Sequence, residues 1–281
     1  MAGVDGDGEA THAAAIEATW GMALPDDIRL SFNEAAETYD RVRPSYPPEM
    51  FDDLFGLLPD APEVIEVGPG TGQATRDLLG CGASVHAIEI GPAMAARLAA
   101  NLGSDRLRIS VGDFETIPLA PASADAVFSA TAYHWITSAA QTDRPAAALR
   151  PGGVLAVVDL LQVRSDVDRG FFAACDPIYR RFGQGHVGPP APTRSQVDPP
   201  IRGVLEGDER YGSVTVRTYD WDQTYTAAEY RDLMLSYSGT QMMEVSARSG
   251  LLDAIGTLIV DEFDGVVTRP LVATLTTAVM R

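Results

Sequence analysis

Between Glu63 and Asp159 short apolar runs alternate with amphipathic stretches, and this rhythm is the clearest pattern in the chain. The runs Glu63 to Val67, Ser84 to Ile90, Leu107 to Val111, Asp125 to Ser129 and Val154 to Asp159 are too short for helices. Gly, Pro, Asp and Asn punctuate them, which predicts strands. The last run is apolar enough to be buried on both faces. Gln73 to Leu79, Pro92 to Asn101 and Pro145 to Leu149 read as helices, with Pro92 suited to a first helical turn. Arg150-Pro-Gly-Gly153 stops the last of them. Strands alternating with helices predict a parallel sheet covered on both sides.

Outside this block the rhythm loosens. Met1 to Glu9 is rich in Gly and Asp and reads as a mobile tail. Ser31-Phe-Asn-Glu34 has the form of a capping box, and Pro44, Pro47 and Pro48 predict an extended segment after it. Arg169 to Phe182 looks helical. Gly183 to Pro200 carries five prolines and three glycines and reads as a long surface excursion. Val214 to Tyr219 alternates like an antiparallel strand. Thr226-Ala-Ala-Glu229 is a second capping box, opening a helix to about Ser236. A longer helix is expected over Met242 to Phe263, with Leu252, Ile255, Ile259 and Phe263 on one core-facing side. Leu271 to Met280 reads as the last strand. No internal repeat is visible.

Charge then narrows the partners. The 281 residues hold 39 Asp plus Glu against 21 basic residues, every one of them Arg, for a net charge of −18. Such a chain is repelled by phosphate backbones, so nucleic acid and anionic membrane surfaces are excluded as expected partners. No apolar run reaches the roughly 20 residues of a membrane span; the best, Gly153 to Leu161, is interrupted by Asp159. No basic segment leads into an apolar leader, and Cys81 and Cys175 form neither a metal spacing nor a disulfide framework. The expectation is a reduced, cytoplasmic protein with no metal site. Nothing in the pattern sets its oligomeric state.

The candidate chemistry begins at Val64-Ile-Glu-Val-Gly-Pro-Gly-Thr-Gly-Gln73. A strand ends in a turn where Gly68, Gly70 and Gly72 allow a ligand to approach the backbone, and a helix then presents free N–H groups. A dinucleotide site would use G-x-G-x-x-G. Here the spacing is G-x-G-x-G with Glu66 just ahead of it, and a carboxylate there suits a ligand with a cationic end.

At this point the chain resembles the class I S-adenosylmethionine-dependent methyltransferases, whose first motif is an acidic residue followed by G-x-G-x-G. Ala87-Ile-Glu89, Gly112-Asp113-Phe114, Asp125-Ala-Val-Phe-Ser129 and Leu149-Arg-Pro-Gly-Gly-Val154 match the later motifs in order and spacing. Ala36-Glu-Thr-Tyr-Asp-Arg-Val-Arg-Pro-Ser-Tyr-Pro47 and Thr131-Ala-Tyr-His-Trp135 look like the small-molecule branch related to the trans-aconitate type. The resemblance implies a three-layer Rossmann-like fold with a mostly parallel seven-stranded sheet, an antiparallel last strand and a cap. Residues 1–50 would form a tail and cap segment, 51–281 the methyltransferase domain, and 160–240 a further cap excursion around the acceptor.

The cofactor implied is S-adenosylmethionine. Contacts to it are implied at Tyr39, Arg43, Glu66, Gly68, Gly70, Gly72, Glu89, Ile90, Asp113, Phe114 and Thr131. Glu89 would take the ribose hydroxyls, Asp113 the adenine amino group and Phe114 the adenine ring, while Tyr39 and the prolines after it would close as a lid. Trp135 and Tyr46 are the implied acceptor contacts. His134 is the candidate general base, with an imidazole expected to titrate near neutral pH; the competing reading has it hydrogen-bonding the backbone and fixing Trp135. The expected function is methyl transfer to an O, N or C atom of a small molecule of secondary metabolism. An RNA methyltransferase, a nicotinamide-dependent oxidoreductase on a similar sheet and a non-catalytic cofactor-binding protein are the alternatives.

Overall fold

The computed structural model describes residues 42–184 and 191–281. The N-terminal tail, the Ser31-to-Glu34 capping box and Tyr39 lie outside the described residues, as do residues 185–190 of the Pro-rich excursion.

Four short strands, β1 (Glu63–Val67), β2 (Ser84–Glu89), β3 (Leu107–Val111) and β4 (Ala124–Ala130), and the longer β5 (Leu149–Gln162) form the parallel part of the sheet. Two long strands complete it, β6 (Tyr211–Thr226) and β7 (Val266–Met280). The order across the sheet is β3-β2-β1-β4-β5-β7-β6, with β7 antiparallel to both neighbours. This is the expected mostly parallel seven-stranded α/β sheet. The chain runs outward from β1 through β2 to β3 and then crosses back to β4. A crevice therefore opens at the carboxyl ends of β1 and β4, where open α/β sheets bind ligands.

The helices cover both faces: α1 (Pro48–Phe55), α2 (Gln73–Gly80), α3 (Pro92–Asn101), α4 (Ser138–Ala148), α5 (Phe171–Arg181), α6 (Ile201–Glu206), α7 (Ala227–Leu235) and α8 (Val245–Glu262). Phe51, Leu54, Leu78, Leu98 and Phe128 pack one face of the sheet; Ile65, Val127, Leu155, Ile201 and Tyr211 pack the other. Burying each such side chain contributes about 1.5–3 kcal/mol.

Three expectations change. Pro48 was read into an extended segment, but it opens α1, because a first-turn position needs no amide hydrogen. The helix before β5 runs over eleven residues and carries Pro145 inside it. The last strand starts at Val266, not Leu271, and passes through Pro270. Pairing to β5 ends at Gln162 opposite Leu271, and the Pro270 carbonyl accepts from Val163 on that side. The missing N–H thus falls just beyond the ladder, so the proline removes no bond from it.

A satellite core sits beyond the carboxyl edge. Phe171, Tyr230, Leu233, Leu252, Ile255, Ile259 and Phe263 join Tyr225 of β6 and Val267 of β7 there. The apolar face of α8 was expected in the main core; it is buried, but in this cluster. Residues 211–226 of the expected excursion return to the sheet as its edge strand, and α8 joins α5 and α7 beside the crevice.

Candidate functional site

The Gly-rich turn is held in place by its backbone. Gly68, Gly70 and Gly72 all have positive φ, at 66°, 59° and 102°. A Cβ on Gly68 would stand 2.5 Å from the Ala132 methyl, and one on Gly72 would stand 2.6 Å from Leu98. Both positions therefore require glycine on conformation and on space. The Gly68 amide bonds the Ile88 carbonyl at 3.0 Å, tying the turn to β2.

Glu89, at the end of β2, grips this turn. One carboxylate oxygen accepts from the Gly70 N–H at 3.0 Å and the other from the Gly91 N–H at 2.8 Å. Glu66, at the end of β1, is different. It is 1% exposed, and its Oε2 is buried with no hydrogen-bond partner among the described residues. Burial pushes its pKa up to about 8; Thr75 works against that shift, and the nearby Glu89 charge adds to it. Such an orphaned acceptor is expensive in a fold unless a cation or donor completes it.

Three adjoining clefts open around these residues. The first has an empty volume of about 740 Å³ including its mouth. Gly68, Gly70, Ile88, Glu89, Ile90 and Phe114 wall it, with Met94, Ala132 and Ile136. The second holds Glu66 and Gln73 with Arg43 and Tyr46. The third is lined by His134, Leu160, Gln162, Leu233, Tyr237, Arg269 and Leu271, again with Arg43. Thr131 borders all three, and Trp135 borders the first and third. Thr131 sits at φ 56°, left-handed without being glycine, and its hydroxyl is 3.4 Å from the Tyr46 hydroxyl. Strain of about 1–2 kcal/mol at such a residue commonly marks a working site.

The structure thus gathers Arg43, Tyr46, Glu66, Gly68, Gly70, Glu89, Ile90, Phe114, Thr131, His134 and Trp135 around one crevice. Gly72 sits behind it, against Leu98 and Leu102. Asp113 flanks the first cleft rather than walling it, and its carboxylate accepts from the Glu115 N–H at 2.9 Å. The His134 ring tilts against Trp135, with centroids 5.0 Å apart, and makes no hydrogen bond among the described residues. Its surroundings lower its pKa to about 4 through burial, although the side chain keeps an exposed surface. A pKa that low leaves the imidazole neutral at pH 7, while its exposed face keeps it open to solvent. Gln162, Tyr237 and Arg269 were missed. Their only signal is Arg269-Pro270, inside a strand whose expected start, Leu271, lies five residues after the observed one.

Comparison with known proteins agrees with this geometry. The methyltransferase-domain family matches residues 65–157. An uncharacterized methyltransferase of Mycobacterium tuberculosis (strain ATCC 25618 / H37Rv) is 33% identical over 234 residues, covering 83% of this chain and 87% of the relative. The chain is a class I S-adenosylmethionine-dependent methyltransferase. Solved structures share the methyltransferase's fold. One described as a type II methyltransferase from Anaeromyxobacter dehalogenans is 21% identical with a TM-score of 0.55, covering 85% of this chain and 96% of the other. A second is Haemonchus contortus phosphoethanolamine N-methyltransferase 2, in complex with phosphomonomethylethanolamine and S-adenosylhomocysteine. It is 17% identical with a TM-score of 0.50, covering 88% of this chain and 57% of that one. S-adenosylmethionine is the cofactor of this methyltransferase.

Proposed function

We propose that this methyltransferase acts on a nucleophilic O, N or C atom of a small molecule of specialised metabolism, in the branch resembling the trans-aconitate type. The observation that carries the reading is the third cleft, which meets the first at Thr131 and Trp135. It is a cavity walled by side chains from β5, α7, β7 and the loop after β4, not an open basic groove. A folded RNA needs a broad cationic surface, and a chain of −18 supplies none.

The residues present fit the cofactor. The Gly68 and Gly70 backbone walls the first cleft and lets a ligand approach closely, and the orphaned Glu66 oxygen awaits a cationic group such as an amino-acid ammonium. Glu66, Gln73 and Arg43 would hold the amino-acid end. Glu89, at the end of β2 on the wall of the first cleft, would take the ribose hydroxyls, and Ile90 and Phe114 would flank the adenine. When bound, the sulfonium supplies a methyl carbon already activated for attack. The chain's own tasks are to align the acceptor at the Thr131–Trp135 junction, exclude water, and leave any acceptor proton a way out. His134 stands beside that junction as a neutral imidazole. A base of pKa about 4 is weak, so an acceptor that is already ionised suits this site best.

The test uses methyl-labelled S-adenosylmethionine with the protein and, in parallel, a bacterial small-molecule extract or total RNA. Label should appear in the small-molecule fraction. Label confined to RNA would overturn the reading in favour of the nucleic-acid alternative.

A further inference from the structure

Among the described residues, the crossover from β3 to β4, residues 112–123, is the only parallel one without a helix. It nevertheless supplies Phe114, which is 3% exposed and walls the first cleft. The Thr116 and Ile117 amides both donate to the Asp113 carbonyl, at 3.1 and 2.8 Å. Those two bonds close the turn but do not tie it to the sheet. The tie comes from α4, which follows β4 rather than β3. Arg144 Nε donates to the Phe114 carbonyl at 2.9 Å, Nη2 donates to the Ile117 carbonyl, and the guanidinium carbon lies 5.5 Å from the Phe114 ring centroid. At the start of the helix, the Glu115 carboxylate accepts from the Thr137 N–H at 3.1 Å and from the Thr137 hydroxyl at 2.6 Å. That hydroxyl caps nothing in its own helix, and Glu115 sets a negative charge at the N-terminus of α4. In a chain with 39 acidic residues, Arg144 forms no ion pair among the described residues. Its fork is spent on the carbonyls of one turn.

The same helix grips the opposite wall. Pro145 has no N–H, so the Gln141 carbonyl one turn back loses its helical donor. The Tyr133 hydroxyl takes that place, at 2.5 Å. The Gln141 side chain in turn donates to the Ile136 carbonyl at 3.1 Å. Tyr133 is 2% exposed, and the loop it pins brings Thr131, Ala132, Trp135 and Ile136 to the first cleft. The proline inside α4 thereby makes a socket for the loop after β4.

Arg144 lines none of the three clefts. Yet through it and Tyr133 one helix sets the distance between Phe114 and Ile136. A flat ring bound between apolar walls needs their spacing held to about 0.5 Å. We propose, resting on the reading that Phe114 flanks the adenine, that Arg144 is a positioning residue for the cofactor. It holds the Phe114 turn at its working distance without touching the cofactor, and the Tyr133 bond to Gln141 fixes the facing wall from the same helix. An arginine is required because its planar fork spans two carbonyls, which a single ammonium does not.

A double-mutant cycle, read by titration calorimetry with S-adenosylhomocysteine, tests this. Phe114→Ala should itself weaken binding. Arg144→Gln should raise the dissociation constant about tenfold in the parent, the scale of one hydrogen bond from a charged group. The same change should cost less than about twofold once Phe114 is Ala, because residues acting through one another are not additive. Arg144→Lys should fall between parent and Arg144→Gln, since its charge remains but its fork does not. Tyr133→Phe, which removes one oxygen, should weaken binding too. Circular dichroism and melting temperature report folding. A residue that only stabilises the fold would lower the melting temperature and shift affinity equally, or not at all, in both backgrounds. An unchanged constant in Arg144→Gln, or the same factor with and without Phe114, overturns the positioning role and leaves the adenine beside Phe114. An unchanged constant in Phe114→Ala removes the adenine from that wall, and the proposal falls with that reading. Undiminished binding in Tyr133→Phe overturns the second grip. Should Arg144→Gln fail to fold, Arg144→Lys carries the cycle, and a loss that persists in Phe114→Ala, or no loss in the parent, overturns the role.

Discussion

The two sides of the crevice are built in opposite ways. The glycine-turn side is local: Glu66, Gly68, Gly70 and Gly72 fall within seven consecutive residues, and Glu89 closes on them from the adjacent strand. The third cleft is assembled at long range. Arg269 reaches Gln162 across 107 residues, and Arg43 reaches Ser236 across 193. The first is a backbone device, in which glycine conformation and amide hydrogens do the work. The second is a side-chain device, in which charge and hydrogen-bond geometry do it. Backbone devices demand fixed residues at fixed spacing, whereas side-chain devices can draw on any elements the fold brings together.

This contrast can be broken most forcefully at Gly70. Its φ of 59° is strained for a β-branched residue, and its amide bond to Glu89 depends on that turn. Gly70→Val should eliminate measurable S-adenosylhomocysteine binding by calorimetry while circular dichroism stays that of the parent. Unaltered binding would move the cofactor out of the first cleft. Glu89→Ala is the next largest. Losing a charge-assisted bond costs about 1.5–3 kcal/mol, so the dissociation constant should rise by one to two decades; an unchanged constant would leave Glu89 with only its loop-holding bonds.

Glu66 sharpens the comparison through pH. With its pKa raised to about 8, it is protonated in the empty protein at neutral pH and must release that proton to face an ammonium. Cofactor affinity should therefore climb by up to about tenfold per pH unit from pH 6 toward 8, and fall above it as an α-amino group near pKa 8 deprotonates. The ligand-free protein behaves in reverse. A carboxyl raised in the folded state favours folding most below about 4.5, the usual carboxylate value, and that advantage is lost as pH rises toward 8. Melting temperature should decline across that window in the parent and decline less in Glu66→Gln, whose cofactor affinity should also be flat from pH 6 to 8. A parent profile as flat as that of Glu66→Gln would show that Glu66 stays ionised.

The smallest effect is expected at His134. Because the imidazole is neutral across the working range, His134→Ala should keep turnover within about tenfold of the parent and leave the pH–rate profile between 6 and 8 unchanged. A loss of 10² or more, partly regained at high pH, would restore it as the general base.

The same contrast explains what the sequence disclosed. The first five strands were legible because each holds a short apolar run bounded by breakers. The glycine turn was legible because its conformation restricts residue choice. The extents of β6 and β7 were not. β6 is an edge strand with alternating exposed positions and few apolar residues, and Pro270 hid the start of β7. The third cleft depends on where β7 begins, so Arg269 disappeared with that boundary. Asp113 was legible as a motif residue, but its turn toward the Glu115 amide lies in side-chain geometry that no spacing encodes. The lowering of the His134 pKa was not legible, since desolvation is a property of packed neighbours.

The reversed direction of β7 has one more consequence. A parallel strand would bring its end to the crevice, but β7 brings its beginning, Val266 to Leu271. The segment that feeds it therefore reaches the third cleft directly, through Leu233 and Tyr237, while the strand's later residues stay locked between β5 and β6. None of residues 227–271 walls the first or second cleft. Exchanging that stretch between relatives would replace one wall of the third cleft, Leu233, Tyr237, Arg269 and Leu271, and leave the glycine turn and Glu89 in place.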